Sequence, residues 1–329
     1  MITFIDLFCG IGGFRLALEE LKAKCVFSAE VNTHACLMYE ENFHENPYCD
    51  VTEIKEKELP EFDILCAGFP CQAFSRAGKQ KGFDDVRGTL FFDICRIVKE
   101  KQPKVIFLEN VKNLIIHDKG NTFKTILRHL DELNYEISYE VLSAKDFGVP
   151  QHRERIIIVG IRKDLNYSFD FKNIERNSVS SMIAFLDNTL NDYLKPEEYT
   201  IIDKQYQKTQ IKSGLKFVGY RNKNIRTNGV LENTLHLSRA HKQCNRIYDS
   251  MGIHPTLSSQ ESSGRYFIYH QQKVRKLSLD ECFRFMGFPQ NFKKVGSKSN
   301  LYSRIGNSVC VPMIKSVGRE IINVLQKTQ

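Results

Sequence analysis

Ile2-Thr3-Phe4-Ile5-Asp6-Leu7-Phe8-Cys9-Gly10-Ile11-Gly12-Gly13-Phe14 is the stretch on which the fold turns. Residues 2–8 read as a short apolar strand. Phe14, Ala17, Leu18 and Leu21 then follow at i, i+3, i+4 and i+7 of a helix. Three glycines occupy the handover, where missing Cβ atoms let backbone approach a ligand closely and adopt positive φ. A tight strand–helix turn that binds nothing would use the same residues. The spacing departs from the dinucleotide fingerprint G-x-G-x-x-G, because position 15 is Arg.

Working outward, the same alternation continues to about residue 165. Strands are expected at 25–29, 62–67, 105–108, 136–142 and 156–161. Leu90, Ile94, Ile97 and Val98 mark one helix; Phe123, Ile126, Leu127, Leu130 and Leu133 mark another. This pattern predicts an α/β fold, a doubly wound and mostly parallel sheet covered on both faces. After Asp164 the period is lost, and residues 165–250 read as a separate, irregular lobe that keeps the aromatics Phe217, Tyr220 and Tyr248. Helical periodicity returns at Leu279, Cys282, Phe283 and Met286 and again from Val309 onward. The expected domains are 1–170, completed by 300–329; a lobe at 171–275; and a return segment at 276–299.

The chain has 329 residues, 42% hydrophobic and 26% charged, a balance that excludes a largely disordered protein. It holds no apolar run of the roughly 18 to 20 residues needed to span a bilayer, so no membrane partner is expected. The ten cysteines form no C-x-x-C pair, which points to free thiols, no structural zinc and a reducing, cytoplasmic location. The net charge of +8 is concentrated: residues 201–250 hold ten Lys/Arg against three Asp/Glu. Such a cluster suits either a solvated face or a lobe that binds a polyanion by displacing its counterions.

Several side chains carry chemistry. Glu30 ends the second strand, where a carboxylate can accept hydrogen bonds from ribose hydroxyls. Asp50-Val51 offers a further contact near an adenine, and Phe8 is placed to lie against a cationic centre such as a sulfonium. Gly68-Phe69-Pro70-Cys71-Gln72-Ala73-Phe74-Ser75 follows another strand directly, so Cys71 stands beyond a strand's carboxyl end, where open α/β sheets gather their chemistry. A buried structural cysteine is the plainer alternative. Residues 76–87, with Arg76, Gly78, Lys79, Lys81 and Gly82, read as a basic loop. Glu109-Asn110-Val111 leaves an apolar strand at the same edge, and a partly desolvated carboxyl there is suited to hold or give a proton. In Gln151-His152-Arg153-Glu154-Arg155, two arginines at i and i+2 are expected to aim at one place, unless they only solubilise an edge strand.

Taken together these motifs resemble the DNA cytosine-5 methyltransferase family, of the bacterial restriction–modification type. The resemblance runs through nearly the whole chain in one order: DLFCGIGG at 6–13, GFPCQAFS at 68–75, ENV at 109–111, QHRER at 151–155, RKLSLDECFRFMGFP at 275–289 and GNSV at 306–309. It implies a Rossmann-like sheet of the S-adenosylmethionine-dependent methyltransferase type, with a target-recognition lobe between QHRER and RKLSLDE. By that resemblance Cys71 is the nucleophile toward cytosine C6, Glu109 serves N3 and the exocyclic amine, and Arg153 and Arg155 contact the flipped base. Phe8, Gly10, Ile11, Gly12, Glu30, Val31, Asp50, Val51, Leu90, Asn307 and Ser308 are the implied S-adenosylmethionine residues, with S-adenosylhomocysteine as the product. Relatives often carry a Trp after the acid of the second strand; here the position is Val31, and the chain has no Trp at all.

DNA contacts are expected from Ser75, Arg76, Lys79 and Lys81 after the cysteine and from Arg221, Lys223, Arg226 and Arg239 in the basic stretch. The implied partner is double-stranded DNA, with a cognate restriction endonuclease acting separately, and the chain is expected to be a monomer. The same catalysis on transfer RNA is disfavoured by Gln72-Ala73-Phe74-Ser75 and by the long basic gap. A non-catalytic DNA-binding protein is disfavoured by the intact Cys71, Glu109 and arginine set, and a nicotinamide oxidoreductase by the glycine spacing.

Overall fold

Strand β1 (Thr3–Leu7) lies inside a six-stranded sheet, and Phe4, Ile5 and Leu7 on it are fully buried. A strand apolar on both faces needs cover on both faces, which a parallel sheet wrapped by crossover helices provides. The computed structural model describes residues 1–70, 90–223 and 232–327. With β1 in this sheet are β2 (Lys24–Ala29), β3 (Ile64–Ala67), β4 (Val105–Val111), β5 (Tyr135–Ser143) and β7 (Glu154–Arg162), while β6 (Gln151–His152) belongs to a separate two-stranded sheet. The large sheet runs β2-β1-β3-β4-β7-β5, with β2, β1, β3 and β4 mutually parallel and β7 antiparallel to β4.

The helices of this unit are α1 (Gly13–Glu19), α2 (Thr33–Phe43), α3 (Leu90–Lys101), α4 (Asn121–Glu132) and, after two further helices in the chain, α7 (Val311–Lys327). Helix α3 buries Phe91, Ile94, Cys95, Ile97 and Val98 as one apolar stripe. Helices α1 and α7 pack together, as do α3 and α4. From β1 the chain moves outward to β2 and then returns to β3 on the other side. That reversal opens a crevice beyond the carboxyl ends of β1 and β3, the usual place for a ligand in such sheets.

The chain divides into two compact units. The first comprises 1–142, 154–176 and 308–329, the second 143–153 and 177–307. The bounds read from sequence, 170 and 300, differ from these: the first unit runs to 176, the return to it falls at 308, and the short piece 143–153 belongs to the second unit. The second unit is more regular than its sequence suggests. It carries a five-stranded sheet, β13-β12-β10-β9-β8, formed by β8 (Tyr199–Ile201), β9 (Phe217–Arg221), β10 (Arg246–Asp249), β12 (Phe267–His270) and β13 (Lys273–Lys276). Val218, Ile247, Phe267 and Val274 form its small core. Strands of three to five residues are too short to leave a visible period amid polar loops. The two-residue β11 (His254–Pro255) pairs with β6 in the same unit.

Helix α5 (Leu279–Arg284) begins with a capping box: Ser278 Oγ accepts from the Glu281 N–H, and Glu281 returns the bond to the Ser278 N–H. Both Glu281 oxygens also take the buried Arg275 guanidinium, at 2.6 and 2.8 Å. Much of the 275–289 motif is therefore a brace of the second unit, which also contains α6 (Lys298–Asn307). Among the described residues no helix is long and apolar enough to cross a membrane.

Candidate active site

The glycine turn after β1 is built by close approach as much as by ligand space. Gly12 sits at φ +87°, and a Cβ on it would stand 2.2 Å from the Phe43 ring. Gly13 lies under the returning segment, where a Cβ would meet Val309 Cγ2 at 2.6 Å and Ser308 Oγ at 3.1 Å. Gly10 is different: a Cβ there meets nothing within 4 Å, so open space lies beside it. Its N–H donates to Glu30 Oε2 at 2.9 Å, while Glu30 Oε1 accepts from the Asn32 N–H at 2.7 Å. Phe8 holds φ +57°, a left-handed conformation that costs a non-glycine residue about 1 kcal/mol or more and tends to mark a functional turn. Ile11 is buried behind the turn.

The other residues read as cofactor contacts lie on several separate elements. Val31, next to Glu30, leaves 54% of its surface exposed. Asp50 Oδ1 caps a short helical turn by accepting from Thr52 N–H and Oγ1. Val51 is buried, and its carbonyl takes the Arg96 guanidinium at 2.9 Å. Leu90 opens α3, and Ser308 touches the glycine turn. Asn307 closes α6 in the second unit and is exposed.

Beyond β3, Gly68 and the buried Phe69 bring the chain to Pro70. Cys71 itself, with Ser75, Arg76, Lys79 and Lys81, lies outside the described residues, as does Arg226. The approach to it is firmly held: the buried Asn110 donates from Nδ2 to the Phe69 carbonyl at 2.8 Å. Asn110 Oδ1 also accepts from the Val111 N–H. A Cβ on Gly68 would lie 3.9 Å from Glu109 Oε2, so the start of the cysteine segment adjoins that carboxyl. Sequence reasoning misses Asn110 as a site residue; only its place beside Glu109 hints at a role.

Glu109 does not stand alone. In the β4–β7 ladder Arg155 is registered with Val111, two residues from Glu109 and hence on its face. Arg155 Nε meets Glu109 Oε1 at 2.9 Å, with side-chain exposures of 12% and 10%. The expectation that Arg153 and Arg155 aim at one place is corrected here. Arg153 falls in the break between β6 and β7, so the alternation of a continuous strand does not carry across it. Its buried guanidinium donates to the carbonyls of Leu257 and Gly306 at 3.1 and 3.0 Å, all within the second unit. Gln151 braces the same region, donating to the Phe285 carbonyl and accepting from the Leu257 N–H. Gln151 and Arg153 thus hold Leu257 together, while Arg155 serves Glu109.

In the second unit, two cavities share Arg265 and Phe267 as a wall. One, of 260 Å³, is lined by Gln243, Arg246, His254, Gln260 and Tyr266 among others; the other, of 360 Å³, by Lys223, Asn245 and Lys276. His254 is held neutral, since burial pushes it down to about 4, and its Nδ1 donates to the Pro255 carbonyl. Lys223 and Arg239 are exposed. Arg221 is not: it is buried, paired with Glu198 at 3.0 Å and laid over the Phe267 ring. It serves the sheet, so the sequence expectation of a DNA contact there does not fit its placement.

The comparisons with known proteins agree with this geometry. The family described as C-5 cytosine-specific DNA methylase matches residues 2–323. The Type II methyltransferase M.HhaI of Haemophilus parahaemolyticus is 42% identical, over 97% of this chain and 94% of its own length. The Type II methyltransferase M.HpaII of Haemophilus parainfluenzae is 40% identical, over 98% and 90%. A solved structure of the S. pombe Dnmt2 methyltransferase shares the fold with a TM-score of 0.69 at 18% identity, covering 99% of both chains. By the family match and by these two relatives, each aligned over nearly its whole length, the chain belongs to the C-5 cytosine-specific DNA methylase family.

Proposed function

We propose that this chain methylates C5 of cytosine in duplex DNA, at a specific sequence, through a transient bond between Cys71 and C6 of the base. The observation that carries the reading is the convergence, within one unit, of the glycine turn after β1, the anchored approach to Cys71 after β3 and the Glu109–Arg155 pair on β4 and β7.

Cytosine C5 is a weak nucleophile. Addition of the Cys71 thiolate to C6, with a proton held at N3, moves electron density to C5; after methylation, loss of the C5 proton expels the sulfur. Glu109 is the group suited to N3, and Arg155 orients it. Arg153 braces the second unit through two carbonyls rather than meeting Arg155 at the carboxyl. A base stacked in a duplex hides C6, so the cytosine must be flipped out, at a cost of a few kcal/mol offset by contacts to its Watson–Crick edge.

The residues present fit S-adenosylmethionine as methyl donor: open space beside Gly10, a strained Phe8, Glu30 as acceptor for ribose hydroxyls and Asp50 as a contact near the adenine. Bound there, the donor supplies an electrophilic methyl group on a sulfonium. Lys223 and Arg239, with Arg76, Lys79 and Lys81 after Cys71, are the proposed phosphate contacts, and the second unit is the proposed target-recognition lobe. The protein is read as a monomer paired in the cell with a separate restriction endonuclease. Bisulfite sequencing of DNA from a host expressing the chain tests the reading: protected cytosines in one sequence context are expected, and uniform conversion would overturn it.

A further inference from the structure

The sheet edge beside Glu30 carries an aromatic ring that none of the sequence motifs includes. Glu30 and Tyr48 form a parallel β-bridge, closed by Glu30 N–H to the Pro47 carbonyl at 2.9 Å and Cys49 N–H to the Glu30 carbonyl at 3.1 Å. Residues opposed across such a bridge show their side chains on one face. Tyr48 and Asp50, two apart in extended chain, share a face as well. The Glu30 carboxylate on that face reaches the Gly10 N–H, so Glu30, Tyr48 and Asp50 form one ledge on the side of the glycine turn. The Tyr48 backbone is held by its N–H donating to Asn46 Oδ1 at 2.9 Å, yet 64% of the residue is exposed.

We infer that Tyr48 is the platform on which the purine ring of the methyl donor stacks; this rests on the function proposed above. A purine nucleoside presents hydroxyls on its sugar and a flat π-face on its base. The Glu30 carboxylate on the ledge answers the hydroxyls, and Asp50 stands beside the base. The flat face calls for a ring, the chain has no Trp, and Tyr48 is the aromatic residue between the two acids.

The test uses the full-length protein with S-adenosylhomocysteine as the probe, by titration calorimetry. Tyr48→Ala is expected to weaken binding about tenfold, the usual scale for losing one base–aromatic stack, while Tyr48→Phe binds like the parent. Tyr48→Trp creates the chain's single indole, whose emission should change on adding the probe. Binding by the parent with Tyr48→Ala unaltered and the Trp signal flat would overturn the role of Tyr48 while leaving the proposed function standing. No binding by the parent protein would instead overturn the methyl-donor site itself, and Tyr48 with it. If Tyr48→Ala loosens the fold, the Trp emission in the well-folded variant decides alone: a response supports the stack, and silence overturns it.

Discussion

Replacing Arg155 by Met tests whether the carboxyl of Glu109 is held by its neighbour. The pair meets at 2.9 Å with both side chains close to nine-tenths buried. At a separation of about 4 Å between charge centres and an effective dielectric near 20, the attraction is about 4 kcal/mol before desolvation is subtracted. Removing one partner of such a pair leaves a desolvated charge behind and typically costs about 3 kcal/mol or more. For a unit of this size that lowers the melting temperature by roughly 6 to 12 °C. Glu109→Gln should destabilise by less, because the amide can still accept from Arg155. The double variant should lose at least about 1 kcal/mol less than the two singles together, the mark of groups that touch. The assay is thermal and denaturant unfolding of the four proteins, run beside methyl transfer from labelled S-adenosylmethionine to duplex DNA. In the second readout Glu109→Gln should lose about a hundredfold to ten-thousandfold, the range for a lost proton donor. Single effects that add to within about 0.5 kcal/mol would show that the two side chains do not act together.

Other consequences follow from the same geometry. Gly12→Ala meets both a left-handed backbone and the Phe43 ring, so it should lower the melting point and weaken S-adenosylhomocysteine binding, measured by calorimetry; an unchanged affinity would dissociate the turn from the donor site. Asp6 is wholly buried and burial raises its carboxyl well above the ordinary range. Its protonated form is favoured in the fold, so its contribution to stability is complete below the usual carboxylate pKa and is lost as pH rises through the raised value. Asp6→Asn should flatten that loss in unfolding curves taken from acid to neutral pH; an unaltered slope would mean that Asp6 folds as an ionised group. Substituting Lys223 and Arg239 by Ala should weaken DNA binding across sequences and reduce the salt slope by about one for each phosphate no longer engaged. Donor affinity without DNA should stay as it was, and the reverse result would move the polyanion site elsewhere.

How much of this is legible in the sequence depends on the length of the signal. The parallel sheet is readable because β1, β3 and β4 are runs buried on both faces, flanked by helices with a clear apolar stripe. The glycine turn is readable as a turn, but not why each glycine is there: Phe43 and Val309 come from distant parts of the chain. The second unit's sheet escapes a sequence reading because its strands are three to five residues long. Charge counting likewise includes Arg221, whose partner Glu198 lies far along the chain. The arginine pair fails for a local reason, a break in the strand at Arg153. Asn110, Gln151 and Glu281 act by bonding to carbonyls, amides and guanidinium groups whose positions only the folded chain supplies.

The whole reading rests on a bond between Cys71 and a pyrimidine ring. Duplex DNA carrying 5-fluorocytosine at the methylated position should trap it, because the fluorine cannot leave as a proton does. Incubated with S-adenosylmethionine, the protein should gain the mass of the oligonucleotide plus one methyl group, with the adduct on the Cys71 peptide, and Cys71→Ser should give none. An adduct at another residue, or methylation of ordinary DNA by the Cys71→Ser variant at the parent's rate, would contradict the account.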